Sequence, residues 1–361
     1  MQHRQPAHAR VEHADRALAR IGSARLEARH RAIIPKRAVS VAPERYLRVL
    51  VRALVLSNMH PDHAHPERGS FVRDQVAALR RLDGLEVELY EFPPGPAALG
   101  RAAIALRRRL SRRRFDVVHA HFGLTAWPAL AVRAHVRALT LHGTDLRHPR
   151  TRLLTRAALP SVDLLATVSA ELRAELPPQL AARAQVLPCG VELDRFRPLD
   201  RAQARRDLGL DPQARHLLFP ADPARPEKRY DRAEALAREV DAELLTLGGV
   251  EPARVPLLVN AADALLVPSE REGFGLAVLE ALACDVPVLA TPVGIHPEAL
   301  AELPGTLCAP FQLAAWRAAL EAHLHAPDPR IAGRERAERW SSLRMAERVA
   351  EAWRTARGRS G

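Results

Sequence analysis

The sequence predicts an α/β protein of two domains built on parallel sheets. Three observations carry this. Short apolar runs alternate with segments of helical composition, the pattern of strands joined by crossover helices. The runs are mostly continuous, as in Arg48–Ser57 (RVLVRALVLS), which suits strands covered on both faces. The 361 residues are about two domains' worth of chain, enough for two cores.

Composition narrows the function. The chain has 54 Lys+Arg against 42 Asp+Glu, a net +12. Residues 1–48 hold eleven basic and four acidic side chains, so more than half the excess sits in the leader, which weakens any inference from charge to nucleic acid. Three cysteines, Cys189, Cys284 and Cys308, show no ligand spacing and fit a reducing compartment. No apolar run reaches the roughly 20 residues of a membrane span, and no signal core opens the chain. A cytoplasmic location is expected. The 29 prolines and the Ala/Arg bias suggest a GC-rich genome, so Ala-rich helices say little by themselves.

Residues 1–44 read as a disordered or loosely helical basic extension. The first strand, Arg48–Ser57, leads into the loop Asn58–Gly69 and a helix from about Ser70 to Arg81. Strand, glycine-containing loop and helix make the ligand-binding end of an open α/β sheet. His60, His63 and His65 in that loop are either free or a metal cluster. Leu85–Phe92 is the second strand. Pro96–Phe115 then carries seven arginines and no acid, with Ile104, Leu106, Leu110 and Phe115 interleaved. It reads either as the solvated face of a surface helix or as a cationic amphipathic element that meets an anionic membrane through Arg107–Arg114.

Asp116–His121 (DVVHAH) and Ala138–Gly143 (ALTLHG) are strands ending in histidine or beside it. Ligands of open parallel sheets gather at the carboxyl ends of strands, so His121, His142 and Asp145 are placed to meet a substrate. His119 and His121 share a face and are also a candidate metal pair, with no third ligand evident. Leu164–Ser169 precedes a helix capped by Ser169, and a domain boundary falls near Val191–Leu210.

The second half opens with strand His216–Ala221 and the loop Asp222–Arg229 (DPARPEKR). Lys228 and Lys36 are the only lysines in the chain. In a sequence that otherwise writes its bases as arginine, Lys228 hints that an ammonium is needed there. After strand Ala242–Gly249, the stretch Ala262–Thr291 reads as strand, turn, helix, turn, strand. Gly273 and Gly275 let a backbone approach a ligand, and the free N–H groups of the helix start suit phosphate oxygens. Glu272 stands in that turn. Glu280 is the only charged side chain from Gly275 to Cys284, costly to bury unless hydrogen-bonded. A capped core helix with Glu280 satisfied by backbone fits the turn as well. Asp285 holds the helix-ending position, where a left-handed conformation is expected. Helices from about Phe311 to Arg357 close the chain.

Glu272 and Glu280, set in S-x-x-E-G-F-G-x-x-x-L-E-A-x-A-x-x-x-P-V, resemble the donor-site motif of the family 4 retaining glycosyltransferases of GT-B fold. The T-x-H-G-x-D of Thr140–Asp145, the V-E-L-D-R-F-R-P of Val191–Pro198 and the G-x-x-P-E of Gly294–Glu298 match the same family. The resemblance covers about Arg48 to Arg357. It implies two Rossmann-like domains facing across a cleft, with the acceptor on the first and a nucleotide-sugar on the second. By the same resemblance, His142 would hydrogen-bond the transferred sugar, with Gly69 and Asp145 close by. Lys228 and Arg225 would hold the donor diphosphate with the backbone of Gly273, Phe274, Gly275 and Leu276. Glu272 would bind sugar hydroxyls, Glu280 the ribose diol, and the backbone near Val250 the base. Two departures bear on the cationic loop: Pro223 stands where the family has Arg, and Arg229 where it has Gly.

The expected extents are 1–44 for the extension, 45–195 for the acceptor domain, 196–340 for the donor domain and 341–361 for a helix crossing back. The expected activity is transfer of a hexosyl group to a hydroxyl of a glycan or lipid-linked acceptor, without a metal or other cofactor and without nucleic acid. Peripheral attachment to the inner face of the membrane goes with the lipid-linked acceptor. Competing readings are a glycoside hydrolase using Glu272 and Glu280, a non-catalytic basic module for anionic lipid or nucleic acid, and a nucleotide-sugar epimerase of the same fold.

Overall fold

The computed structural model describes residues 50–359; the expected extension at 1–44 lies outside them. The first sheet comprises β1 (Val51–Ser57), β2 (Leu85–Glu91), β3 (Arg114–His121), β4 (Arg133–Leu141), β5 (Leu164–Thr167) and β6 (Gln185–Val186), in the order β2-β1-β3-β4-β5-β6. The second comprises β7 (His216–Phe219), β8 (Glu243–Thr246), β9 (Ala264–Val267), β10 (Val288–Ala290) and β11 (Leu307–Cys308), in the order β11-β10-β9-β7-β8. All neighbours in both sheets are parallel. This is the two-Rossmann architecture expected. The two-residue strands β6 and β11 escaped sequence reading because pairs of residues carry no periodicity.

Register gathers the chemistry at one edge. Ser57 lies beside His121 and His121 beside Thr140, so β1, β3 and β4 finish together. Loops at those ends face the loops of the second sheet. One apolar cluster runs from Leu56 and Leu139 of the first sheet to Leu265 and Val288 of the second. The helix Ser342–Arg359 covers the opposite face of the first sheet. Its Met345, Val349 and Trp353, spaced four residues apart on one side, are buried in one cluster with Val117 and Val136. Just before it, the Val191 N–H donates to the Trp340 carbonyl and the Ser342 N–H to the Val191 carbonyl, both at 2.8 Å, tying the Val191–Pro198 segment to the helix start.

Local signals hold at several turns. Gly69 is left-handed (φ 73°), and a Cβ there would sit 2.4 Å from the Met59 carbonyl oxygen. Asp285 is left-handed as expected (φ 59°), and its carboxylate accepts from the Gly333 and Arg334 amides. The Ser169 hydroxyl caps the Ala170–Ala174 helix by accepting from Leu172 N–H.

The Pro96–Phe115 segment is not one amphipathic helix. The helix ends at Leu110, and Arg114 already begins β3. Leu106 and Phe115 are buried, Leu110 packs against the same core, and of the four apolar residues only Ile104 remains exposed. Arg113 is engaged by Glu88. The apolar stripe read as membrane-facing is spent on the protein's own core.

Candidate active site

Three adjoining cavities, of about 500, 420 and 190 Å³, lie between the ends of the two sheets. Arg225 borders all three, and His142 borders the two larger. A groove of about 1060 Å³ elsewhere, beside Arg81, Glu347 and Arg354, contains none of the residues singled out in the sequence.

The donor-side wall is the turn before the Leu276–Ala283 helix, which Gly275 opens in a left-handed conformation (φ 100°). A Cβ on Gly275 would lie 2.5 Å from His296 Nε2, and one on Gly273 would lie 2.3 Å from the His142 carbonyl oxygen. Both glycines are therefore required by close approach, the second across the cleft. Phe274, Gly275 and Leu276 border the largest of the three adjoining cavities, Gly273 and Glu272 the next.

Glu272 is buried, and both of its oxygens accept from Lys228 Nζ, at 2.7 and 2.6 Å; Ser269 Oγ donates to Oε1 at 2.8 Å. Burial alone would raise this carboxyl; the charges of Lys228 and His296, with the hydrogen bonds from Lys228 and Ser269, bring it below its ordinary value. Lys228 ends a short turn, Pro226–Lys228, and borders the same cavity. Arg225 is half exposed and pairs with Glu227 at 2.7 Å. In place of the family's glycine, Arg229 adopts the left-handed region (φ 58°), with its guanidinium on Asp231 and Glu270.

Glu280 borders the smallest cavity with Arg195, Asp222 and Gly248. Burial pushes its carboxyl up to about 7, against the pull of Arg195 and with the push of Asp74. Arg195, in the Val191–Pro198 segment but not singled out there, is bidentate on Asp74 (2.9 and 2.6 Å) and so ties that cavity to the Ser70–Leu79 helix. The loop bordering Val250 contributes Leu247, Gly248 and Pro252 to the same wall.

On the acceptor side, the His142 ring packs between Phe71 and Phe122, with centroids 5.0 and 4.5 Å away. Burial pushes its imidazole down to about 3. Asp145 accepts from His142 N–H (2.6 Å) and Gly123 N–H (2.8 Å), so it braces the loop as well as bordering the cavity of about 500 Å³. Two expected residues stand behind the surface. His121 is 1% exposed and borders none of the three cavities; its Nδ1 lies 3.0 Å from His142 Nε2. Gly69 is likewise a turn-former, while its neighbours Glu67 and Ser70 border the Glu280 cavity. The candidate metal pair fails on chemistry: His119 uses Nδ1 on Trp353 Nε1–H and Nε2 on Thr140 Oγ1. Among the described residues no group of three or more His, Cys, Asp or Glu is arranged to hold a metal, His60, His63 and His65 included.

The first domain brackets the donor turn through residues the motifs did not flag. Arg147 Nη1 donates to the Glu272 carbonyl (3.2 Å) while its Nη2 holds Glu175 (2.6 Å). Ser169 Oγ donates to the Gly273 carbonyl (3.1 Å), and Gly294 N–H donates to Glu171. Arg147 lies two residues past the T-x-H-G-x-D motif; nothing in its own surroundings in sequence marks it.

Comparison with known proteins decides the family. Residues 43–195 match the model for Glycosyltransferase Family 4, and residues 224–341 the model for Glycosyl transferases group 1. The D-inositol 3-phosphate glycosyltransferase of Actinosynnema mirum is 32% identical over 330 residues, covering 75% of this chain and 78% of that protein. The chain belongs to glycosyltransferase family 4. A second relative, the D-inositol 3-phosphate glycosyltransferase of Mycolicibacterium paratuberculosis, is 32% identical over 321 residues, covering 74% of this chain and 71% of its own. Among solved structures, sucrose-phosphate synthase from Thermosynechococcus elongatus superposes with a TM-score of 0.66 at 19% identity, over 84% of this chain and 98% of that one. Anabaena HepE in complex with UDP-glucose gives 0.61 at 16%, over 84% and 100%. These likenesses show the GT-B fold. As a family 4 glycosyltransferase, the protein transfers a sugar from a nucleotide-sugar. That sets aside the hydrolase and binding-module readings.

Proposed function

We propose that this glycosyltransferase moves a hexosyl group, with retention at the anomeric carbon, onto a hydroxyl of a glycan or lipid-linked acceptor in cell-envelope synthesis. The observation that carries the reading is the pairing of Lys228 and Glu272 at the mouth of the Leu276–Ala283 helix, inside the cleft. A diphosphate seated on the Gly273–Leu276 turn would draw Lys228 from Glu272, and the freed carboxylate would accept from sugar hydroxyls. Arg225, at the junction of the three cavities, would add a second cation. Such preorganised charge supports departure of a nucleoside diphosphate without calling on a metal. His142 would donate to the transferred sugar and Glu280 accept from the ribose diol. Front-face attack, with the leaving phosphate taking the acceptor proton, needs no protein nucleophile. An epimerase of the same fold would turn over nucleotide-sugar alone.

The acceptor half of the proposal draws on the surface of the first domain. Residues 96–115 and 122–162 contain thirteen arginines and one acid, the buried Asp145. Leu153, Leu154, Trp127 and Leu130 are exposed there, Leu153 by 70%. The Pro149–Ala158 helix that presents Leu153 and Leu154 also lends Pro149 and Thr151 to the cleft. Exposed apolar side chains among clustered arginines, beside the cleft mouth, suit an anionic bilayer that presents a lipid-linked acceptor. Among the described residues no helix is long and apolar enough to cross a membrane.

The test is a thermal-shift screen of UDP-, GDP- and ADP-sugars, followed by a transfer assay with the stabilising donor. Stabilisation by a nucleotide-sugar with turnover that depends on added acceptor is expected. Turnover of the donor without acceptor would establish the epimerase, and no stabilisation by any nucleotide-sugar would reject the proposal.

A further inference from the structure

The buried histidines behind the cleft fix the protonation pattern of the one that faces it. Indole nitrogen only donates, so Trp353 Nε1–H donates to His119 Nδ1 at 3.2 Å and the His119 proton must sit on Nε2. That N–H donates to Thr140 Oγ1 at 2.7 Å. His119 therefore has one tautomer, and its ring stacks on His121 with centroids 4.7 Å apart.

His121 and His142 share a single hydrogen bond, Nδ1 to Nε2 at 3.0 Å, which two arrangements satisfy. In one, His142 donates; His121 then carries its proton on Nε2, a buried atom with no partner in the structure. In the other, His121 donates from Nδ1 and leaves only a bare lone pair on that buried nitrogen. An orphaned N–H is the rarer and costlier of the two. The second arrangement wins, and it puts the His142 proton on Nδ1. No described residue bonds that nitrogen, while His142 borders both large cavities of the cleft.

We propose that His121 is a positioning residue: by donating from Nδ1 to His142 Nε2, it fixes His142 as the neutral tautomer whose Nδ1–H is offered to the sugar. The catalytic consequence rests on the role given to His142 above; the tautomer itself does not. Burial lowers all three imidazoles, His121 well below its ordinary value, so the pattern persists through neutral pH. The carboxylate next to this group, Asp145, is engaged by backbone amides on the loop side and does not compete for Nδ1. A neutral imidazole N–H can stabilise developing charge without giving up its proton.

The experiment is long-range proton–nitrogen NMR of the full chain labelled at the histidine rings, with the His142 signals assigned by substitution. The ligand-free protein should show His142 protonated at Nδ1 and bare at Nε2. His121→Asp replaces the donor by an acceptor and should move the proton to Nε2, with kcat down roughly 100-fold and donor KM little changed. His121→Phe should lose as much kcat, and His121→Asn, which restores an N–H near the Nδ1 position, should recover roughly tenfold of it. Wild-type His142 protonated at Nε2 would overturn the proposal. So would His121→Asp that keeps the Nδ1 proton, or Asn and Phe variants with equal kcat. Should the Phe variant fail to fold, the wild-type spectrum and the Asp and Asn variants still decide. Failure of the function reading shows differently: the tautomer stands as stated while no nucleotide-sugar binds.

Discussion

Lys228 and Glu272 form an ion pair whose side chains are only 15% and 7% exposed, so each depends on the other. Removing one partner of a buried pair strands the other charge. Lys228→Met should therefore lower stability by about 3 kcal/mol, and Lys228→Met with Glu272→Gln should recover most of it; equal melting of the single and double variants would refute the pair's burial. Glu280 behaves oppositely. Its carboxyl is raised by burial, so its protonated form is tolerated and ionisation through about pH 7 costs stability. A carboxylate that accepts from two ribose hydroxyls must be ionised, so donor affinity should tighten as pH rises through about 7 and the dependence should vanish in Glu280→Gln. That variant should weaken donor binding while melting no lower than the parent above that pH. An unaltered pH dependence in Glu280→Gln would remove the ribose role. At this scale, residues inside a motif were legible: Glu272, Lys228 and His142 line the cleft as expected. His121 was not, because strand alternation gives the face of a side chain and not whether another ring covers it. Arg147 and Arg195 were not legible either, since each is defined by a partner far along the chain, Glu272 and Asp74.

Among elements, the donor turn shows why sequence reading worked. Two glycines a residue apart before an apolar helix imply close approach, and the structure supplies the atoms: His142 O opposite Gly273 and His296 Nε2 against Gly275. Gly273→Ala should hold the cleft open by pushing on a backbone oxygen, costing roughly 100-fold in kcat/KM with the fold retained. Activity within a few-fold of the parent would show that the two domains need not touch there. Apolar runs located most of the strands, because buried parallel strands write themselves plainly. The Pro96–Phe115 segment admits two readings in sequence for a related reason. A stripe of apolar residues among arginines looks the same whether it faces lipid or the protein's own core, and here Leu106 and Phe115 are buried in that core.

For the whole molecule, the cationic surface of the first domain predicts salt-sensitive attachment to anionic vesicles, since exposed charges are screened beyond about 8 Å at physiological ionic strength. Replacing Arg107, Arg108 and Arg109 by serine should weaken flotation with anionic vesicles, and Leu153→Ser with Leu154→Ser should weaken it further. Undiminished flotation of both variants would remove the membrane from the account. The two domains meet at the donor turn, through Arg147 with the Glu272 carbonyl and Ser169 with the Gly273 carbonyl, and beside it through the Gly294 N–H with Glu171. Everything proposed for catalysis depends on where between them the pyrophosphate sits. The direct measurement is a crystal structure with a bound nucleoside diphosphate. It should show phosphate oxygens on the amides of the Gly273–Leu276 turn, with Lys228 turned from Glu272 onto them. A diphosphate bound away from that turn, or Lys228 still held by Glu272, would contradict the account.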